Sequence, residues 1–192
     1  MSDGPEPAPV ALPPDAEAPV ETMWEGRFIV ARKRGRWEYV GRSRGIRAAV
    51  IVAVDRSGGD GPHILLVEQY RVPLGRRSLE LPAGLVGDEG EEEAVEIAAA
   101  RELEEETGYR AGRIEALGDF ASSPGMVSET FTLVRAHDVV RVGEGGGIEG
   151  EGIVVHRVPL GEIGAYVEAK RAEGFAIDVK MLILLGSAIL EA

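Results

Sequence analysis

The stretch Gly87-Asp-Glu-Gly-Glu-Glu-Glu93-Ala-Val-Glu-Ile-Ala-Ala-Ala-Arg101-Glu102-Leu103-Glu104-Glu105-Glu106-Thr107-Gly108-Tyr109 decides the reading of this chain. Its alanines and glutamates are strong helix formers, which predicts a helix from about 90 to 107, and Gly108 is a natural stop just past its end. At 3.6 residues per turn, Glu102, Glu105 and Glu106 fall within an arc of about 100°, while Glu104 points the other way. Three carboxylates on one face repel one another, and the negative end of the helix dipole makes the last turn a poor place for them. A glutamate run is ordinarily a solvated face. Here its position and the adjacent Arg101, placed to neutralise or orient one carboxylate, favour a cation instead. Hard, oxygen-preferring Mg²⁺ or Mn²⁺ suits such a cluster.

The elements around this helix mix without a regular βαβ alternation. Residues 24–42, turning at Arg34-Gly35, read as an antiparallel hairpin. Gly45 to Asp55 is nearly continuous apolar sequence, suited to a strand buried on both faces. Ser57 to Pro62 is a loop by composition, and His63 to Arg71 is a further strand. Strands follow at 113–120 and 129–139, then a glycine-rich loop, Gly143 to Gly152, and a strand from Ile153 to Val158. Two helices, at about 160–173 and 178–190, close the chain; the second is apolar almost all round and is expected to be buried. The fold class is α+β, a mixed sheet sandwiched by helices. Residues 1–20, rich in Pro, Ala and acid, read as a disordered tail; 21–45 as the hairpin; 46–192 as the main domain.

Composition bounds the chemistry. The 192 residues carry 33 acidic against 21 basic side chains, a formal charge of −12, which argues against nucleic acid or anionic membranes as partners. With no cysteine, disulfides, thiolate nucleophiles and cysteine-ligated zinc are excluded. The three histidines, His63, His137 and His156, are scattered, so a histidine zinc site is not expected. No run reaches the ~18 apolar residues of a membrane helix, and no signal peptide is evident. A cytoplasmic location is the default expectation.

The helix and its upstream residues resemble the Nudix box: Gly87, Glu93, Arg101, Glu102, Leu103, Glu105, Glu106 and Gly108 fill its fixed positions, and Tyr109 stands where an aliphatic residue is usual. The resemblance implies an α/β/α sandwich around a mixed sheet. It also implies Glu102 and Glu106 as metal ligands, Glu105 assisting catalysis, and Arg101 with Glu93 holding loop and helix in place. Glu80-Leu81-Pro82-Ala83-Gly84 is similar to a segment of the family's ADP-ribose and sugar-nucleotide pyrophosphatases, in which the Ala carbonyl binds metal, so Ala83 joins the metal set. In many relatives the glycine of Ala-Gly is itself the first of the box; here Gly84 lies three residues before Gly87, and the loop is longer.

Ser122-Ser123-Pro124-Gly125 followed by Glu129 resembles a stretch of the ADP-ribose pyrophosphatases. Pro124 and Gly125 are thereby candidate substrate contacts. The loop Gly147-Ile148-Glu149-Gly150-Glu151-Gly152 matches the family's acidic loop, with Glu149 as catalytic base and Glu151 as a metal contact; Glu129 is the reserve base. Were the loop extended, the two glutamates would point in opposite directions. Glu68-Gln69-Tyr70-Arg71 resembles another family segment and offers Arg71 to the substrate's phosphates. The resemblance implies Mg²⁺-dependent splitting of a nucleoside-diphosphate sugar, ADP-ribose foremost, with a GDP-sugar or NADH as alternatives. A catalytically silent nucleotide-binding regulator and a plain acidic interaction protein also stay open. The hairpin resembles the segment that pairs subunits in this subgroup, so a homodimer is expected.

Overall fold

The computed structural model describes residues 11–43, 46–87, 93–148 and 150–190. The chain divides into two units, one of residues 1–44 with 123–129 and one of 45–122 with 130–192.

The first unit is a three-stranded antiparallel sheet, β1 (Val20–Glu25), β2 (Ile29–Arg34) and β3 (Trp37–Arg42): the hairpin turning at Arg34-Gly35 is β2–β3, and β1 adds a strand to it. The extra strand begins inside the stretch that composition assigned to the tail. A short 3₁₀ turn, Pro14–Glu17, precedes it. The sequence reading missed this order because the turn is fixed by distant partners: Asp15 pairs with Arg36 at 2.8 Å, and Arg34 donates to the Ala16 carbonyl. Residues 123–129 add a parallel bridge, Val127 to Val40, to the edge of β3.

The second unit holds β4 (Arg47–Asp55), β5 (His63–Arg71), β6 (Arg76–Glu80), β7 (Ala83–Val86), α1 (Val95–Thr107), β8 (Tyr109–Arg110), β9 (Arg113–Ala121), β10 (Thr130–His137), β11 (Val140–Arg141), β12 (Val154–Pro159), α2 (Ile163–Ala172), β13 (Ala176–Ile177) and α3 (Leu182–Leu190). The eight-stranded mixed sheet runs β13-β6-β5-β4-β10-β9, with β12 on β5 and β7 on β4. β4 and β10 are parallel neighbours; β9 returns antiparallel along β10.

The alternation of β4 builds both layers of the sandwich. Ala49, Ile51 and Ala53 face α1 and pack with its Ala98, Ala99 and Leu103. Val50, with Val52 and Val54 beside it, faces the opposite cluster, where Val167 of α2 and Met181 and Leu185 lie. A strand apolar on both faces is what two helical layers require.

Two helix expectations change. α1 starts at Val95, after Glu93 and Ala94, where its apolar stripe of Ala98, Ala99 and Leu103 begins; the expected start near 90 lies outside the described residues. α3 is not buried all round: Leu185 is enclosed, but Leu182, Ile183 and Ile189 are exposed. Its residues are apolar, yet among the described residues no layer covers Leu182, Ile183 and Ile189. Among the described residues no helix is long and apolar enough to cross a membrane.

Candidate active site

β6 and β7 are joined through Leu81-Pro82, and this corner creates the site. β6 pairs with β5 and β7 with β4, so the chain steps from one strand to the other as it turns. The Pro82 carbonyl accepts from the Ile51 amide at 2.9 Å, which ties the corner to the sheet. Pro-Ala-Gly, a turn by composition, thus delivers Ala83 and Gly84 as sheet residues under the last turns of α1.

The helix meets this corner through two carboxylates. Glu106 accepts a 3.0 Å hydrogen bond from the Ala83 amide. Glu102 lies on Gly84 so closely that a Cβ there would stand 2.0 Å from its Cδ. Gly84 is therefore the glycine that admits the helix. The longer loop has a separate use for Gly87, whose amide donates to Glu93. Glu93 also pairs with Arg101 at 3.6 Å, and Arg101 donates to Glu102 at 3.0 Å and to Glu105 at 3.4 Å. Arg101 thus links the start of the box to its carboxylates. Glu105 is exposed, on the outer side of this group.

The loop that carries Glu151 is fastened to the end of α1. The amides of Gly146 and Gly147 donate to the carbonyls of Glu106 and Glu105, at 2.8 and 3.0 Å, and Val142 and Gly143 donate to Gly108. Carbonyls that a helix C-terminus leaves without partners are satisfied by the loop itself. Glu151 is not in extended chain: its amide donates to the Ile148 carbonyl, and its carboxylate accepts from the Ile148 amide. The expected opposite orientation of Glu149 and Glu151 does not follow from such a turn. Glu149 itself lies outside the described residues.

Electrostatics mark the same carboxylates. Burial pushes the Glu106 carboxyl up to about 8; the Ala83 amide opposes this, and the charges of Glu102 and Glu151 add to it. Glu102 is raised too, by burial first, with Arg101 opposing and Glu105 and Glu151 adding. Carboxylates held in a half-buried position against mutual repulsion fit a hard divalent cation, whose charge would remove that cost. Among the described residues no three acidic or histidine side chains already form a ligand cluster. Glu102, Glu106 and Glu151 are each held by a donor of the protein, and Glu149 is not among the described residues.

Arg71 stands at the same end of the sheet. It donates from Nε and Nη2 to the two oxygens of Glu80, and it feels the charge of Glu106 and Asp178. Sequence reasoning missed Glu80, because a buried glutamate beside Leu-Pro reads as a strand end. Pro124, Gly125 and Glu129 belong to the first unit. Pro124 and Gly125 line a recess of about 360 Å³ with Arg34, Trp37 and Tyr39, and Glu129 accepts from Arg42 at 2.6 Å. The histidines stay apart: His63 bonds the Gly61 carbonyl, His137 bonds Glu115 and His156 bonds Glu68.

A carboxylate-bearing helix laid across a strand corner, in a mixed sheet between helical layers, defines a class of α/β/α proteins. This chain belongs to the Nudix family: the profile of the NUDIX domain matches residues 45–175. Over 150 residues the chain is 35% identical to the GDP-mannose pyrophosphatase of Pectobacterium atrosepticum, covering 74% of this chain and 72% of that protein. It is 39% identical over 92 residues to the ADP-ribose pyrophosphatase of Bacillus subtilis, 48% of this chain and 46% of the relative. The chain spans about half the length of several of the curated relatives it matches. A crystal structure of an ADP compounds hydrolase shares the fold, with a TM-score of 0.62, 24% identity, and 90% and 92% of the two chains covered.

Proposed function

We propose that this protein hydrolyses the pyrophosphate of a nucleoside-diphosphate sugar, with ADP-ribose, split to AMP and ribose 5-phosphate, as the first candidate. The observation that carries the reading is the seating of Glu102 and Glu106 against Gly84 and Ala83, with Glu151 close enough to raise both carboxyls. Glu102, Glu106, Glu151 and the Ala83 carbonyl would hold Mg²⁺ or Mn²⁺, which would supply charge neutralisation and water activation.

The chain's own groups do the rest. Arg71, its fork set by Glu80, faces phosphate oxygens. Arg101 and Glu105 keep the carboxylate face in order. Glu149 takes a proton from the attacking water, and Glu129 stands in reserve for that role. Pro124 and Gly125 contribute to the nucleoside side, beside the aromatic recess of their own unit. The protein works as a homodimer in the cytoplasm, on small molecules rather than on nucleic acid or membranes; its acidic balance supports the last point.

A GDP-sugar is the second reading, favoured by the GDP-mannose pyrophosphatase to which three quarters of the chain aligns. A panel of ADP-ribose, GDP-mannose and NADH, incubated with Mg²⁺ and analysed for products, tests both. Release of AMP and ribose 5-phosphate is the expected result. No turnover of any compound would leave a silent nucleotide-binding regulator instead.

A further inference from the structure

At the opposite end of β4 from the Ala83–Gly84 corner lies a cavity of about 750 Å³, lined by Val52, Val54, Arg56, Arg135, His137 and Asp138, among others. We propose that this cavity is a second ligand site, for a phosphorylated small molecule whose remaining part is flat or apolar.

Its place in the fold is the first support. β4 and β10 are parallel, in register from Ala48 with Phe131 to Ala53 with Ala136, and both run out into this cavity at their carboxyl ends. Ligands of open α/β sheets gather outside the carboxyl ends of parallel strands. The carboxylate site lies elsewhere: Ala83 and Gly84 pair with Val50 and Ala49, nearer the amino end. The cavity reaches both layers, since Ala136 and Val139 of its lining belong to the α1 cluster. α1 packs on Ala49, Ile51 and Ala53, whereas Val52 and Val54 belong to the face that packs with α2 and α3.

The charges are the second support. Seven arginines of this unit pair with carboxylates: Arg71, Arg77, Arg101, Arg110, Arg113, Arg157 and Arg171. Arg47, Arg56, Arg76 and Arg135 make no side-chain hydrogen bond or ion pair among the described residues, and of these Arg56 and Arg135 both line this cavity, in a chain with charge −12; Arg135 also feels the charge of Glu115. Two of the nearby acids are already paired, and the third, Asp138, lines the cavity beside Gly112. Asp55 accepts from Ser57 and Arg157, and Glu115 is bonded to His137. Two guanidiniums without a hydrogen-bonded partner offer directed donors to a phosphate, and the two valines give an apolar lining. Asp138 is also the one described non-glycine residue with a left-handed backbone (φ 52°), a conformation that tends to gather at binding sites.

Chemical-shift mapping of the ¹⁵N-labelled full chain in EDTA, titrated separately with inorganic phosphate and phenyl phosphate, tests the proposal. Saturable shifts are expected at the amides of residues 54–57 and 135–140, with phenyl phosphate binding more tightly than inorganic phosphate. The double variant Arg56→Gln/Arg135→Gln is expected to weaken binding at least about tenfold. Neither arginine has a side-chain hydrogen bond or ion pair to lose among the described residues, and unchanged spectra elsewhere would show that the variant keeps its fold. No saturable shift at these amides, shifts confined to residues 71–108, or unaltered binding in the double variant would overturn the proposal. Equal affinity for the two probes would overturn the apolar part of the ligand assignment.

Discussion

Arg71 and Glu80 form a two-point pair across adjacent strands: Nε donates to Oε1 at 2.7 Å and Nη2 to Oε2 at 2.8 Å. Glu80 is buried, and burial alone would raise its carboxyl; the Arg71 hydrogen bonds outweigh this and hold it below the usual range. Arg71 is 44% exposed along its side chain, so its charge stays partly accessible while its plane is fixed. The pair therefore sets the direction of a guanidinium at the carboxylate site.

Glu80→Gln should cost about 1–3 kcal/mol, less than a fully enclosed pair would, since water screens Arg71. The sign of the pH dependence follows from the lowered carboxyl. Glu80 contributes stability in full above its unfolded value, near 4.5, and this is lost as pH falls through the lower folded value. Chemical denaturation between pH 3 and 6 should show a shallower acid loss in the variant (on the order of one proton fewer in the slope). An identical pH slope in both proteins would remove Glu80 as a paired carboxylate.

Glu106→Gln should lower turnover by orders of magnitude without unfolding the chain. The Gln carbonyl can still accept from the Ala83 amide, and the substitution removes the charge that burial opposes. With its carboxyl at about 8, Glu106 weakens the metal-free fold progressively as pH rises from its unfolded value toward 8. In EDTA at pH 8 the variant should match or exceed the parent in Tm. Its kcat with Mg²⁺ should drop by about 10² or more. Near-parental kcat at saturating Mg²⁺ would exclude Glu106 as a ligand.

Local patterns in the sequence carried the helix, the central strands and the sandwich. The 101–108 run, the apolar span of β4 and the stop at Gly108 (φ 73°) all act over short range. Contacts that depend on distant partners were less legible. β6 and β7 are five and four residues long and are strands only because β5 and β4 lie beside them. β1 and the Pro14–Glu17 turn depend on β2 and Arg36. The partner of Arg71 was hidden because a bidentate pair nine residues apart has no periodicity to announce it. The exposed side of α3 eluded composition, which reports how apolar a helix is and not whether a neighbour covers it.

The three loop glutamates should separate by kinetics. Glu149→Gln should lower kcat by about 10²–10⁴ with little change in the Mg²⁺ requirement, as loss of proton transfer would. Glu151→Gln should raise the Mg²⁺ concentration needed for activity. Glu129→Gln breaks the 2.6 Å pair with Arg42 and should leave the Mg²⁺ requirement unchanged. An active Glu149 variant beside an inactive Glu129 variant would move the base to Glu129.

The first unit should mediate dimerisation. Its sheet exposes Trp24 and Phe28, at 57% and 59%, with Met23 and Trp37 also open. So many exposed apolar side chains on so small a unit favour an association surface. Light scattering at micromolar concentration should give twice the chain mass. Phe28→Asp should weaken the dimer by about tenfold or more, through burial of a charge in an apolar contact. A monomeric mass for the parent chain would refute the assignment.

Gly145→Ala should uncouple the acidic loop from α1. Gly145 has φ 70°, and a Cβ there would stand 2.3 Å from the Thr107 carbonyl carbon, so helix backbone and loop backbone cannot both keep their places. The adjacent amides of Gly146 and Gly147 satisfy the last carbonyls of α1, and the same loop leads on to Glu151. The substitution therefore strains the left-handed residue, at about 1–3 kcal/mol, and also displaces a carboxylate from the pair on α1. Two readouts should move together: a lower Tm in EDTA, and a higher Mg²⁺ requirement with substrate KM less affected. Gly150→Ala is the control. Its φ is 98°, but no atom lies within 4 Å of a Cβ built there, so it carries the backbone strain without the collision. If both variants lose the same Tm and only Gly145→Ala raises the Mg²⁺ requirement, the contact with α1 is what positions Glu151. If both raise it equally, loop strain suffices and the contact has no separate role.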